Sequence, residues 1–237
     1  PGAQKVVLTK ATQVPVDIKI GPDGRLYMVG SGGTAGNRAI FVCNLQTGEL
    51  HQWVSLATGK NVKFGEFDAN GYFYVGGGNR IDIWAIAPDS TFSAANLYAS
   101  NEVLAMKIYD NYLYVVAKTG TGTSAVTEIY KHAIGDNGSL SAAEFVLNWT
   151  TSPFGSRTLR GLTFSSAGIM YIATDAEDPL LSFNPATSEF DYFYKGILPA
   201  YIRDFNWGTG NYLYMTTGKT DVQDWIVYRV DMGTTSG

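Results

Sequence analysis

A short pattern built around tyrosine recurs five times along the chain, and it constrains the fold more than any other feature. GRLYMVG runs to Gly30, GYFYVGG to Gly77, NYLYVVA to Ala117, GIMYIAT to Thr174 and NYLYMTT to Thr217. Tyr27, Tyr74, Tyr114, Tyr171 and Tyr214 are spaced by 47, 40, 57 and 43 residues, so five units of about 47 account for all 237. A pair of helices could repeat at this length. Here, however, apolar and polar residues alternate with period two, and β-branched and aromatic side chains dominate. Each unit resolves into strand-like runs separated by turns such as Gly-Pro-Asp-Gly at 21–24, Ala-Asn-Gly at 69–71 and Asp-Asn-Gly at 136–138. Gly and Asn there supply the positive φ of tight hairpins.

Four units show four runs. The fifth shows three, and AQKVVLTKA at the start is a run without a unit. Placing residues 3–11 on the outer edge of the last sheet closes a ring and protects edges that an open array exposes. The expectation is therefore an all-β, five-bladed β-propeller with four antiparallel strands per blade. Its blades span 13–58, 59–99, 100–155, 156–198 and 199–237, all in a single domain.

Composition narrows the function classes. Charged residues make up 16% of the chain against about 25% in typical soluble domains, and the net charge of -4 argues against a nucleic-acid surface. No apolar run approaches the ~18–20 residues of a membrane-spanning helix, so no membrane insertion is expected. Cys43 is the only cysteine, which excludes an intrachain disulfide and a multi-cysteine metal site. The opening PGAQKVV has no charged segment leading into an apolar one, so no signal peptide is read in this sequence. Asn137-Gly-Ser and Asn148-Trp-Thr fit the glycosylation acceptor pattern. Few lysines, many Tyr, Thr and Ser, and an acidic pI point to a secreted or cell-surface protein.

The strings IGPDGRLYMVG and IFVCNLQTGEL resemble blades of NHL-type, gluconolactonase-like and streptogramin-lyase-like propellers, where D-x-x-G-x-L-Y-V precedes a short strand and D-x-x-T-G. The resemblance covers all five units. It implies the propeller architecture, and it raises a metal-dependent lactonase, hydrolase or lyase as one functional expectation. No catalytic residue of those families maps onto a matching motif here.

Several residue groups are candidates for chemistry. The repeated tyrosines are expected to pack between neighbouring sheets with their hydroxyls bonded at the rim. His51 and His132 are expected to face solvent from outer strands. GSGGTA and GTGTSA match G-x-G-x-x-A, but a strand follows each, so neither offers a helix N-terminus to a phosphate. Asp175, Glu177, Asp178, Asp221 and Asp224 fall in loops of adjoining blades, where Ca²⁺ is the one metal they would suit. Their spacing matches no calcium loop, and no cofactor is assigned. Asp17 and Asp204 occupy equivalent first-strand positions. Lys19, Glu66, Lys107, Thr163 and Asn206 occupy the next, so Asp17, Lys19, Glu66, Lys107 and Asp204 are read as lining a central channel. Arg157, Arg160, Tyr201 and Arg203 cluster near the starts of blades four and five, with chemistry for stacking on sugars or clamping acids. Loops between second and third strands vary most, which is where recognition resides on a rigid scaffold. The expected ligand-binding set is Arg157, Asp175, Asp178, Tyr201, Arg203, Asp221 and Asp224. Three functions fit: a non-enzymatic module recognising a glycan or protein, the enzyme implied by the resemblance, and a scaffold within a larger surface protein.

Overall fold

The computed structural model describes residues 13–32, 38–56, 62–77, 83–95, 102–196, 202–217 and 226–237. Every extended segment is a short strand, and each of the five repeats makes one up-and-down antiparallel sheet, so the fold is an all-β, five-bladed propeller. The first sheet orders β1 (Gln13–Ile20), β2 (Leu26–Gly32), β3 (Arg38–Cys43) and β4 (Leu50–Leu56). The second holds β5 (Phe64–Phe67), β6 (Phe73–Gly76), β7 (Ile83–Ile86) and β8 (Phe92–Ala95). The third holds β9 (Glu102–Tyr109), β10 (Tyr112–Thr119), β11 (Val126–Ala133) and β12 (Glu144–Asn148). The fourth holds β13 (Leu159–Phe164), β14 (Met170–Thr174), β15 (Leu180–Asn184) and β16 (Glu189–Tyr192). The fifth holds β17 (Ile202–Trp207), β18 (Tyr212–Thr217) and β19 (Ile226–Asp231). The expected closing strand, 3–11, lies outside the described residues.

Tight turns explain why the meanders are so regular. In the first sheet the Gly21 N–H donates to the Arg25 carbonyl at 2.9 Å, and Gly24 takes φ 74°. A side chain at Gly21 would sit 2.5 Å from the Tyr27 ring, so only glycine fits there. β8 starts directly after the turn that precedes it. The Ala87–Thr91 turn closes with Ala87 N–H to Thr91 O at 2.7 Å and brings Phe92 opposite Ile86 at once.

Contacts divide the chain into two compact units, one of Pro1–Gly120 with Lys131–Glu144 and one of Thr121–Tyr130 with Phe145–Gly237. The core of the first is a cluster of Tyr27, Val29, Ile40, Val42, Val54, Val62, Phe73, Val75 and Ile86. The core of the second contains Tyr171, Leu180, Ile202, Phe205, Leu213, Met215 and Met232. Second strands carry the burial: every residue of β6 and β14 is buried, whereas β16 alternates between exposed and half-buried. Burying a Val, Leu or Phe side chain contributes about 1.5–3 kcal/mol, so β6 and β14, buried along their whole length, contribute substantially to stability. Four repeated tyrosines are 0–9% exposed, and Tyr214 differs at 38%.

Candidate functional site

The first strands share a feature that no single strand can reveal. Pairing with the second strand slips by one residue between Pro15 and Asp17, between Val103 and Ala105, between Leu159 and Gly161 and between Ile202 and Asp204. The extra residues are Val16, Leu104, Arg160 and Arg203, which sit at equivalent places in four blades. Such a bulge kinks the strand and re-aims the side chains beyond it, and bulges concentrate next to functional sites.

Beyond the bulge, Asp17 and Asp204 do occupy equivalent positions, opposite Val29 and Thr216. Each accepts the N–H of the following residue at 2.8 Å, Ile18 and Phe205 respectively. Asp17 also receives the Gly65 N–H at 2.8 Å, tying the first sheet to the second. Two residues further, Lys19, Glu66, Lys107, Thr163 and Asn206 all stand opposite the repeated tyrosines. In the first unit this row is an ion ladder. Glu66, 7% exposed, lies 3.1 Å from the Lys19 ammonium and 3.6 Å from that of Lys107, and Lys19 reaches Asp17 at 3.8 Å. In the second unit the equivalent Thr163 is buried and Asn206 is exposed. The ladder can hold three sheets in register, and its ammonium groups can face an anion.

The second unit presents a braced loop between β14 and β15. The Arg157 guanidinium donates to the carbonyls of Glu177 at 2.5 Å and Asp178 at 2.6 Å and to the Tyr192 hydroxyl at 3.3 Å. It also lies over the Phe154 and Tyr192 rings. The Trp149 indole N–H holds the Arg157 carbonyl at 2.9 Å. Asp175 accepts the Thr158 N–H at 3.0 Å and pairs with Arg160 at 3.2 Å. Asp178, at φ 48°, accepts the Gly196 N–H. The structure thus brings Arg157 against the loop that carries Asp175 and Asp178, with the Arg157 guanidinium bonded to the loop's carbonyls and the bulge residue Arg160 half exposed. Tyr201, Asp221, Asp224 and the Arg203 side chain lie outside the described residues. Among the described residues no three His, Cys, Asp or Glu side chains converge as metal ligands. The carboxylates of Asp175 and Asp178 are engaged by protein donors.

His132 corrects the sequence expectation. It is 0% exposed, not solvent-facing, and its Nδ1 lies 2.9 Å from the Ser141 carbonyl. Burial pulls its pKa below the ordinary imidazole value, against the opposing pull of that carbonyl. His51 is exposed, as expected. The G-x-G-x-x-A run at 120–125 forms a single 3-10 turn, Gly122–Ser124, before β11. Sequence reasoning passed over Asp23, Arg25 and Trp53. In the first sheet Tyr27 donates its hydroxyl to Asp23 at 2.8 Å, and burial together with that bond raises its pKa to about 12. For Asp23 burial favours the neutral acid, but bonds from the Arg25 N–H, the Arg25 guanidinium and the Tyr27 hydroxyl outweigh it and lower the pKa.

No protein-family model matches the chain, and no curated protein matches it either. Solved structures do. A streptogramin B lyase aligns with a TM-score of 0.61 at 13% identity, covering 97% of this chain and 72% of the lyase. A structure described as a nidogen/laminin complex gives 0.65 at 15% identity over 93% and 77%. A gluconolactonase from Xanthomonas campestris gives 0.60 at 13% identity over 94% and 84%. Identities this low carry architecture alone. What the chain shares with the lyase and the lactonase is the β-propeller fold.

Proposed function

We propose that this protein is a binding or assembly module, secreted or at a cell surface, which recognises a glycan or protein through the loops joining second to third strands. The observation that carries this reading is the loop of 175–178. Arg157 fixes its backbone by donating to the Glu177 and Asp178 carbonyls, while Arg160 and Asp175 form a charged pair beside it in which the arginine is 49% and the aspartate 22% exposed. A rigid backbone bearing exposed polar side chains recognises a partner at little ordering cost. The ion ladder of the first strands is less exposed, with Glu66 at 9%, Lys19 at 20% and Lys107 at 24% of the side chain against 49% for Arg160. The test is a glycan and extracellular-domain binding panel run with the parent protein and with Arg160→Gln and Asp175→Asn. Loss of the bound partner in both variants, with unchanged melting, supports the reading. Binding indifferent to both substitutions overturns it.

A second reading is enzymatic, as a lactonase or lyase acting from the first strands. It draws on the naming of two structural neighbours as a lyase and a gluconolactonase and on the Lys19–Glu66–Lys107 ladder, whose ammonium groups would face developing negative charge. Turnover of simple lactones with and without Ca²⁺, abolished by Lys107→Met, would favour it over the binding reading.

A further inference from the structure

The two units treat one aromatic niche in opposite ways. In the second unit Tyr171 packs edge-on against Phe193 and Trp207, and the chain's own residues 235–237 lie over this wall. Ser166 donates its N–H to the Ser236 carbonyl at 2.7 Å, its hydroxyl meets that of Ser236 at 2.8 Å, Tyr171 bonds to Thr235, and the Gly237 backbone rests on the Trp207 indole. In the first unit the equivalent residues are Pro22 for Ser166, Tyr27 for Tyr171 and Phe67 for Trp207. Tyr27 again meets its neighbours edge-on, with Trp53 at 5.1 Å and Phe67 at 4.8 Å. Here an open cleft of about 270 Å³ remains, walled by Tyr27, Trp53 and Phe67 and rimmed by Asp23, Arg25 and Asn70.

The substitutions around this cleft define what would enter it. Pro22 has no N–H, so the donor that anchors the peptide carbonyl in the second unit is missing in the first. Ala167 and Ile169 of the second unit are replaced by Asp23 and Arg25, a planar charged pair at 2.6 Å. The pair is preset: the Asp23 carboxylate takes the Arg25 N–H, the Arg25 Nε and the Tyr27 hydroxyl. That uses three of its roughly four acceptor positions. The Arg25 terminal nitrogens still have N–H groups to give, and the Asn70 side-chain amide makes no hydrogen bond within the described chain. Donors and acceptors therefore rim an aromatic wall in a space smaller than the ~300 Å³ at which drug-sized pockets begin. A ligand that fits is one ring thick, with an apolar C–H face for the aromatic wall and hydroxyls around its edge.

We propose that the cleft between the Pro22–Arg25 turn and Phe67 binds a single pyranose residue of a glycan, its C–H face on Trp53 and its hydroxyls on Arg25 and Asn70. The site is independent of the 175–178 loop. The test is saturation-transfer NMR and calorimetry on the full chain with methyl glycosides of glucose, galactose, mannose and N-acetylglucosamine, and with the peptide Thr-Thr-Ser-Gly as a second probe. One glycoside is expected to saturate, with binding weakened at least about tenfold by Arg25→Gln and by Trp53→Ala, since a hydrogen bond to a charged group and a stacked ring are lost. Trp53→Phe keeps the packing of the wall and is expected to retain binding, which separates a ligand effect from a folding defect. Glu189→Gln, an exposed position in β16, is expected to leave glycoside binding unchanged. Absence of saturation by all four glycosides overturns the proposal, as does binding of the peptide in their place. Glycoside binding lost in Arg160→Gln but kept in Arg25→Gln overturns it while sparing the loop reading above.

Discussion

Replacing Glu66 by glutamine keeps shape and removes one charge, which isolates the ion ladder. The carboxylate sits 3.1 and 3.6 Å from two ammonium groups and is itself 9% exposed at the side chain, while the lysines are 20% and 24% exposed. At an effective dielectric near 20 each contact has a gross attraction of about 5 kcal/mol, most of it offset by desolvation of the three ions. Breaking a buried pair by removing one partner costs about 3–5 kcal/mol because the other charge is left uncompensated. Lys19 retains Asp17 at 3.8 Å, and both lysines have some access to water, so the expected cost is lower, about 2–3 kcal/mol. For a chain of this size that is a fall in melting temperature of roughly 4–12 °C. Thermal and urea unfolding measure it. Lys107→Met in the Glu66→Gln background removes one of the two facing ammonium groups, so the double variant is expected to lose less than the sum of the singles. High salt should change the shift little, since buried charges are poorly screened. A Glu66→Gln protein that unfolds within about 0.5 kcal/mol of the parent, or strict additivity in the double variant, would refute the reasoning.

Other outcomes follow from single contacts. His132 has a folded pKa below its unfolded value of about 6.5, so its contribution is full above that pH and is lost as pH falls towards the lowered folded value. Melting between pH 7.5 and 5 should show this drop, and His132→Asn should flatten it; an unchanged pH profile in the variant contradicts the assignment. Gly65→Ala would place a methyl 2.4 Å from Phe73 Cζ and 3.2 Å from Val29 Cγ2, both fully buried, and should cost roughly 1–3 kcal/mol in urea unfolding. Tyr74→Phe keeps a fully buried ring but deletes the hydroxyl that donates to the Gly138 carbonyl at 2.9 Å, a loss of about 1–2 kcal/mol. Stability equal to the parent would show that this carbonyl finds another partner.

The repeat was legible because its signals are local. Tyrosine, two aliphatics and a Gly/Asn turn fix where each second strand begins, and counting back from the tyrosine places Lys19, Glu66 and Lys107 in one row, as the pairing shows. The bulges were not legible. A bulge is a relation between two strands, and Val16, Leu104 and Arg160 have no residue type in common that would mark it. His132 failed for a related reason. Alternation along β11 says which face a side chain takes, but the 134–141 segment folds back, joined by the Ile134–Leu140 bridge and by Ser141 bonded to Ala133. That segment supplies both the cover and the carbonyl that the imidazole meets, and its course cannot be read from the strand.

The candidate sites divide along the same line. Arg157 stands out in the sequence for its charge, yet its Nη1 donates to two carbonyls twenty and twenty-one residues away, so it holds the loop, whereas the Arg160 side chain stays half exposed. Charge alone cannot distinguish a brace from a contact; the distinction lies in backbone carbonyls, which every sequence has. The first-unit cleft, in contrast, had a signal in the repeats themselves. Positions 22–25 read Pro-Asp-Gly-Arg where the equivalent turns read Ala-Asn-Gly-Tyr, Ser-Ala-Gly-Ile and Thr-Gly-Asn-Tyr and the shorter turn of the third blade reads Tyr-Asp-Asn-Tyr, and only the first pairs an acid with a base. In a repeat protein each blade is a control for the others. A residue that departs from its equivalents while the surrounding aromatics stay is under a demand that packing does not impose. Asp23 and Arg25 meet that condition: the same niche in the second unit is closed without any charge, by Ser236 and Gly237.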